Sequence, residues 1–320
     1  MQKDDRIFVA GHRGLVGRAV IRRLRTENYS NVHTVDKHQL DLLDGEAVRE
    51  YFLRQKFPHV IIAAARVGGV QFNISNPTKL GYENGMIALN VLDACHRADV
   101  ERVMFLGSSC IYPRSCPQPM KEEYLLTGPL EPTNEMYALS KILGLKMIEA
   151  YRAEFGRRWI SCQPCNLYGP FDDFDPTNSH FVAALIRKVH EAKTTRKLQV
   201  ECWGTGNARR ELLYVDDVAD AIVFLMKNYD GSFVNVGSGF DHTIREVTEF
   251  VAEIVGFDGA IVWQPDKPEG MPRKLLDVSR MNALGWKPRT DLKAGLAKTY
   301  KWWLDQGGSD EVLACPQLVG

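Results

Sequence analysis

The apolar residues of this chain fall into short continuous runs, separated by stretches in which they recur every three or four positions. That alternation predicts strands and helices in turn. Residues 6–10 read as a buried strand, and Val16, Ala19, Val20 and Leu24 then share one helical face. Further strands are predicted at 32–35, 59–65, 102–109 and 159–166, with helices over 77–98 and through Tyr137. The run at 59–65 is apolar throughout, as a central parallel strand would be. From about residue 171 the pattern loosens. A polar loop leads to a helix carrying Arg187, Lys188 and His190, and a strand and loop follow over 200–211. Asp216 and Asp217 are placed to cap a helix of Val218, Ala221, Ile222 and Leu225, and residues 232–237 read as a strand. Thr243 and Glu246 have capping-box spacing before another helix, a Pro/Gly-rich loop covers 265–273, and residues 292–304 form a closing helix. The expected class is α/β: a doubly wound parallel sheet over 1–170, with 212–240 returning to it, and a smaller mixed domain over 171–320, mainly for substrate.

Composition narrows this little. The 320 residues balance 40 basic against 40 acidic side chains, so overall charge points to neither a nucleic-acid nor a membrane partner. An apolar content of 45% suits a globular core. The charged opening residues suggest no signal peptide, and no run approaches the roughly 20 apolar residues of a membrane span. Seven cysteines without framework spacing suit reduced thiols in the cytoplasm.

The chemistry begins at the first turn. Gly11-His12-Arg13-Gly14-Leu15-Val16-Gly17 stands between a strand and a helix. There glycines let a pyrophosphate approach the backbone and rest on the helix N-terminus. Asp36, 19 residues after Gly17, suits a ribose 2′-hydroxyl and hence NAD. Arg13 and Lys37 suit a 2′-phosphate, so NADPH and NADH both stay open. Asp41 and Leu42 fit either an adenine contact or, with Asp44, a helix start. Ala63, Ala64 and Ala65 leave room for a ligand across the sheet edge, and the loop from Arg66 to Gly69 follows at the carboxyl end of that strand.

Residues 102–141 carry the densest chemistry. If the strand stays regular, Ser108 and Cys110 point the same way. Tyr137 and Lys141, four apart, stack on one helical face. An ammonium beside a phenol lowers its proton affinity and fits it to exchange a proton with an alcohol or ketone oxygen. Cys162 and Cys165 form a C-x-x-C pair, but no second pair has zinc spacing and the motif ends a strand. No metal site is expected from it, nor a redox one.

The glycine turn, the Ser108 position and Tyr137-x-x-x-Lys141 together resemble the extended short-chain dehydrogenase/reductase family. Gly-Ser-Ser-Cys-Ile-Tyr-Pro, Glu-Pro-Thr-Asn-Glu, Asn-Leu-Tyr-Gly-Pro, Asn-Ser-His and Pro-Arg-Lys-Leu-Leu-Asp narrow the resemblance to its GDP-4-keto-6-deoxymannose epimerase/reductases. The likeness runs from residue 6 to about 304. It implies a Rossmann domain with a smaller substrate domain, usually a homodimer. The implied activity is inversion at C3 and C5 of the GDP-4-keto-6-deoxy sugar and NADPH-dependent reduction at C4. By the same resemblance Cys110 and His180 are base and acid, with their assignment to C3 and C5 open. Ser108 and Tyr137 hold the C4 oxygen, and Lys141 holds the nicotinamide ribose. Leu106, Gly107, Pro164, Cys165, Asn166, Leu167 and His180 join the glycine turn at the cofactor. Ser109, Asn166, Trp203 and Glu269 face the GDP-sugar, where Lys188, Arg210 and Arg273 are expected to grip the diphosphate. Arg66, Cys165, Lys188 and Glu269 stand where relatives often carry Lys, Thr, Arg and Asp. The alternatives are a colitose-type synthase, needing only C5 inversion, and a non-catalytic NAD(P)-sensing Rossmann protein. The second would tend to lose the Ser, Tyr or Lys that are all present here.

Overall fold

Parallel strands need long crossovers, and the N-terminal half supplies them as helices. The computed structural model describes residues 1–175, 179–267 and 270–308. In it β1 (Ile7–Ala10), α1 (Leu15–Thr26), β2 (Val32–His33), α2 (Gly45–Gln55) and β3 (His59–Ile62) come first. The chain continues through α3 (Val70–Ser75), α4 (Pro77–Arg97), β4 (Arg102–Leu106), α5 (Glu135–Phe155), β5 (Ile160–Pro164), β6 (Asn166–Tyr168) and α6 (Phe181–Thr194). Then follow β7 (Gln199–Trp203), β8 (Arg209–Tyr214), α7 (Val215–Asn228), β9 (Phe233–Val236), β10 (Asp241–Thr243) and α8 (Ile244–Val255). The last elements are β11 (Ala260–Gln264), β12 (Arg273–Lys274), α9 (Ser279–Ala283) and α10 (Leu292–Asp305).

Six strands form one parallel sheet in the order β2-β1-β3-β4-β5-β9. The period-two alternation of its side chains divides the core. Ile7, Val9, Ile61 and Met104 pack with Val20 and Leu24 of α1 and Val218 and Ile222 of α7. Phe8, Val60, Ile62, Val103 and Phe105 pack with Val48 and Phe52 of α2 and Val91 and Leu92 of α4. From β1 the order runs to β2 on one side and β3 on the other. Such a reversal opens a crevice at the carboxyl ends of the strands, where ligands bind in open α/β sheets.

A second core gathers Val182, Ile186 and Val189 of α6, Val247 and Val251 of α8, and Leu296 and Trp303 of α10. Beside it lie two small sheets. In one, β8 pairs with β6, β10 and β12; in the other, β7 pairs with β11.

Several sequence expectations need correction, among them the third strand, which ends at Ile62 rather than at 65. The second strand spans two residues rather than 32–35. The fourth ends at Leu106, and Ser109–Ile111 is a turn of 3₁₀-helix. Asp216 and Asp217 do not cap α7, whose N-cap is Tyr214. They occupy its first turn, where their charge suits the helix dipole, and Asp217 accepts from the Arg289 and Thr290 N–H groups. Thr243 and Glu246 do form a reciprocal capping box.

Candidate active site

The glycine turn is built for close approach. Gly11 has φ +81°, and a Cβ there would meet the Ala64 backbone nitrogen at 2.5 Å. At Gly17 a Cβ would lie 2.1 Å from the Gly11 carbonyl oxygen. At Gly14 it would find one atom within contact range, at 3.5 Å, so this glycine opens outward. Leu15 and Val16 begin α1, which has no acidic residue in its first turn, so its N-terminal N–H groups keep their positive character for an anion. The residues present therefore fit a dinucleotide pyrophosphate. Arg13 and Asp36, which pulled the sequence reading in opposite directions, bond each other at 2.7 Å, and His12 lies 3.1 Å from the same carboxylate. Lys37 lies 3.5 Å from Asp41. Asp44 is the N-cap of α2, bonded to the Glu46 and Ala47 N–H groups. Asp41 accepts from Leu43 N–H, and Leu42 packs partly on the core.

Beyond β4 the geometry tightens. A Cβ on Gly107 would strike Gln163 Oε1 at 1.8 Å, and that oxygen accepts from Ser108 N–H at 2.9 Å. Ser108 then caps the 3₁₀ turn, its Oγ accepting from Cys110 N–H at 3.1 Å. A cap, and not a regular strand, is what keeps Ser108 and Cys110 together. Tyr137 and Lys141 share a face of α5, with Nζ 5.8 Å from the phenol ring centre. Lys141 Nζ donates to the Leu106 carbonyl at 2.7 Å.

The expected acidification of Tyr137 by Lys141 is not found. Burial pushes the phenol well above its ordinary value, the nearby Cys110 charge adds to this, and a hydrogen bond with Ser108 opposes it weakly. Burial also lowers the Lys141 ammonium to about 8, which weakens the charge it could lend. Tyr137 is thus a phenol that keeps its proton.

Cys110 and His180 are tuned the other way. Burial favours the neutral thiol, but the Lys274 ammonium, the Ser108 hydroxyl and His180 together outweigh it, so the thiol lies below its ordinary value. Lys274 Nζ and Asn134 Nδ2 each donate to Cys110 Sγ at 3.3 Å. His180 is the N-cap residue of α6. Its Nδ1 lies 3.3 Å from Oδ1 of buried Asp172. That hydrogen bond raises the imidazole against the pull of burial, and the charges of Asp172, Asp173 and Cys110 add to the rise.

The expected diphosphate residues have separate partners. Lys188 donates to the Glu201 carbonyl, and Arg273 bonds Asp241 beside Arg209. Arg273 is paired in register with Arg209, and Lys274 with Arg210, so strand alternation sends Arg210 and Arg273 to opposite faces. Arg210 donates to the Arg209 and Met271 carbonyls at 2.8 and 2.6 Å. Trp203 is exposed at the end of β7. Glu269 lies outside the described residues. Ser109, Cys165 and Asn166 line one small cleft with Glu211, Lys274 and Leu276. Pro164 ends β5, and Leu167 lies in β6, paired with Leu213. Cys162 and Cys165 are buried free thiols, and burial raises Cys162 to about 12.

Sequence reasoning passed over Asn134, Gln163, Asp172, Glu211 and Lys274. A Lys next to the singled-out Arg273 was the one available signal. Nothing in spacing ties Asp172 to His180.

A profile of the NAD dependent epimerase/dehydratase family matches residues 7–237. The chain is 48% identical to GDP-L-fucose synthase 1 of Arabidopsis thaliana, over 94% of this chain and 94% of that one. It is 38% identical to GDP-L-colitose synthase of Yersinia pseudotuberculosis, over 95% and 100%. Among solved structures, the GDP-mannoheptose C4 reductase MlghC from Campylobacter jejuni with NADP bound superposes with TM-score 0.88 at 33% identity, over 95% of this chain and 99% of that one.

Proposed function

We propose that this chain, which belongs to the NAD dependent epimerase/dehydratase family, converts GDP-4-keto-6-deoxy-D-mannose to GDP-L-fucose. It inverts C3 and C5 and reduces the C4 ketone with NADPH. The higher identity to a fucose synthase than to the colitose synthase favours this over C5 inversion alone. The observation that supports it most is the opposite tuning of Cys110 and His180, downward and upward, beside a protonated Tyr137.

The chemistry needs that combination. Protons at C3 and C5 are acidic because both carbons flank the C4 carbonyl. Ser108 and Tyr137 donate hydrogen bonds to the C4 oxygen and stabilise the enolate. Cys110 as thiolate takes the proton from one face of the sugar, and His180 as imidazolium returns one to the other face. When bound, NADPH supplies the hydride for C4. Tyr137 then gives its proton to the C4 oxygen, a role that its burial-raised proton affinity keeps available at neutral pH. Lys141 holds the nicotinamide ribose, and Arg13 offers a planar fork to the 2′-phosphate.

Residues 1–170, with 212–240 folded against them, hold the nucleotide cofactor, and 171–320 mainly hold the GDP-sugar. Tyr82 of α4 and Met136, Leu139 and Leu143 of α5 are exposed apolar side chains on two packed helices; they suit a homodimer contact, which sedimentation would read. A thiol that must stay reduced to act as a base suits the cytoplasm. The test is incubation with GDP-4-keto-6-deoxymannose and NADPH, with the product identified by NMR. GDP-L-fucose is expected; a product not inverted at C3 or C5, or no consumption of NADPH, would overturn the reading.

A further inference from the structure

We propose that Lys274 is the charge partner that holds Cys110 as a thiolate, a positioning residue acting through the sulfur in the proton-abstraction half of the reaction. This rests on the reading of Cys110 as the base.

Lys274 comes from a different sheet: it ends the two-residue strand β12, which pairs with β8. Arg273 and Lys274 diverge: Arg273 bonds Asp241, and Lys274 lines a cleft with Ser109, Glu211 and Asn166. The backbone after it is pinned residue by residue. Leu275 N–H donates to Gln118 Oε1, Leu276 N–H to Glu211, and Asp277 N–H to the Met120 carbonyl. The backbone from which Nζ reaches the sulfur is thereby fixed.

Two donors, an ammonium and an amide N–H, converge on Cys110 Sγ at 3.3 Å each. A neutral thiol is a weak acceptor, so two donors aimed at one sulfur suit the anion. The other groups facing it are His180 at the start of α6, Tyr137 and Lys141 on α5, and Ser108 on its own turn. Among the charges near it, Lys274 has the largest effect on the thiol.

The two inversions explain the need. In each, a C–H proton passes to sulfur and its electron pair moves toward the C4 oxygen. The resulting thiol must release that proton to solvent, and the His180 imidazole must regain one from solvent, before the pair can act at the second carbon. A fixed ammonium makes the loss favourable both times.

The experiment measures the rate of Cys110 alkylation by iodoacetamide against pH, by peptide mass spectrometry, in the full chain and in Lys274→Gln and Lys274→Arg. Deuterium exchange into GDP-4-keto-6-deoxymannose is followed in parallel. An opposite charge within about 4–6 Å moves a titration by about 1–3 units. Lys274→Gln should therefore raise the alkylation midpoint by about that much and cut exchange at pH 7 roughly 10-fold or more, with recovery at higher pH. Lys274→Arg should keep most of both. An unmoved midpoint in Lys274→Gln overturns the proposal, as does a rise only in KM for the GDP-sugar. If the midpoint moves while Cys110→Ser exchanges at the wild-type rate, the charge partner stands and the assignment of the base falls.

Discussion

Two pairs of proton-handling groups lie within one site, and burial acts on them with opposite results. At Tyr137 and Lys141 desolvation outweighs the charges nearby, so each is pushed toward its neutral form, the phenol upward and the ammonium down to about 8. Cys110 and His180 are only partly buried and also feel desolvation, yet Lys274 holds the thiol down and Asp172 holds the imidazole up. Desolvation disfavours charge unless a partner is fixed beside it. The first pair is therefore suited to a step that starts from a neutral acid, and the second to a thiolate and an imidazolium acting together. On the proposed mechanism, one active site can then run C4 reduction and C3/C5 inversion at the same pH.

The largest expected effect separates the halves at Tyr137. Tyr137→Phe keeps the ring and removes the proton that the proposed C4 reduction takes from it. Reduction, read as NADPH consumption, should fall about 100- to 10,000-fold, with deuterium exchange at C3 and C5 falling far less. Near-normal reduction in this variant would end the assignment of Tyr137 as the acid.

Cys110→Ser cuts from the other side. A hydroxyl is a far poorer base than a thiol of reference pKa about 8.5. Exchange at C3 and C5 should drop about 100-fold, while the uninverted ketone is still reduced slowly to a non-inverted GDP-6-deoxyhexose. Wild-type exchange in both Cys110→Ser and His180→Gln would leave the inversions without these residues.

The halves also differ in how far the sequence reveals them. Tyr137 and Lys141 are four apart on one helix, and the glycine turn lies between a strand and a helix, so local periodicity places both. The large sheet is legible for the same reason, since its strands are continuous apolar runs. Asp172 and His180 come from the loop before α6 and Lys274 from β12, and only packing of the second core and of β12 on β8 brings them to Cys110. Even the local prediction for Ser108 and Cys110 rested on a strand that ends two residues earlier; the capping bond from Cys110 N–H to Ser108 does that work instead. Burial likewise reversed the reading of Tyr137: helical spacing shows that Lys141 is near but not that desolvation governs the phenol.

The smallest effect is the most specific, because it moves one limb of a pH profile. On the proposed mechanism, exchange needs Cys110 deprotonated and His180 protonated. The lowered thiol extends the acid limb to lower pH, and the raised imidazole extends the alkaline limb to higher pH. Asp172→Asn removes the carboxylate 3.3 Å from Nδ1, so His180 should fall back toward its reference value of about 6.5. The sign follows: above its pKa the imidazole has no proton to give, so exchange is lost first at alkaline pH. At pH 8 the loss should be about 10-fold for each unit that His180 falls, while at pH 6 it should be slight. The acid limb, set by Cys110 with Lys274, should move much less, and the pH profile of C4 reduction should stay in place because Tyr137 does not depend on Asp172. A uniform loss across the whole range would make Asp172 a packing residue. An unmoved alkaline limb would mean that His180 is not the group whose protonation limits inversion.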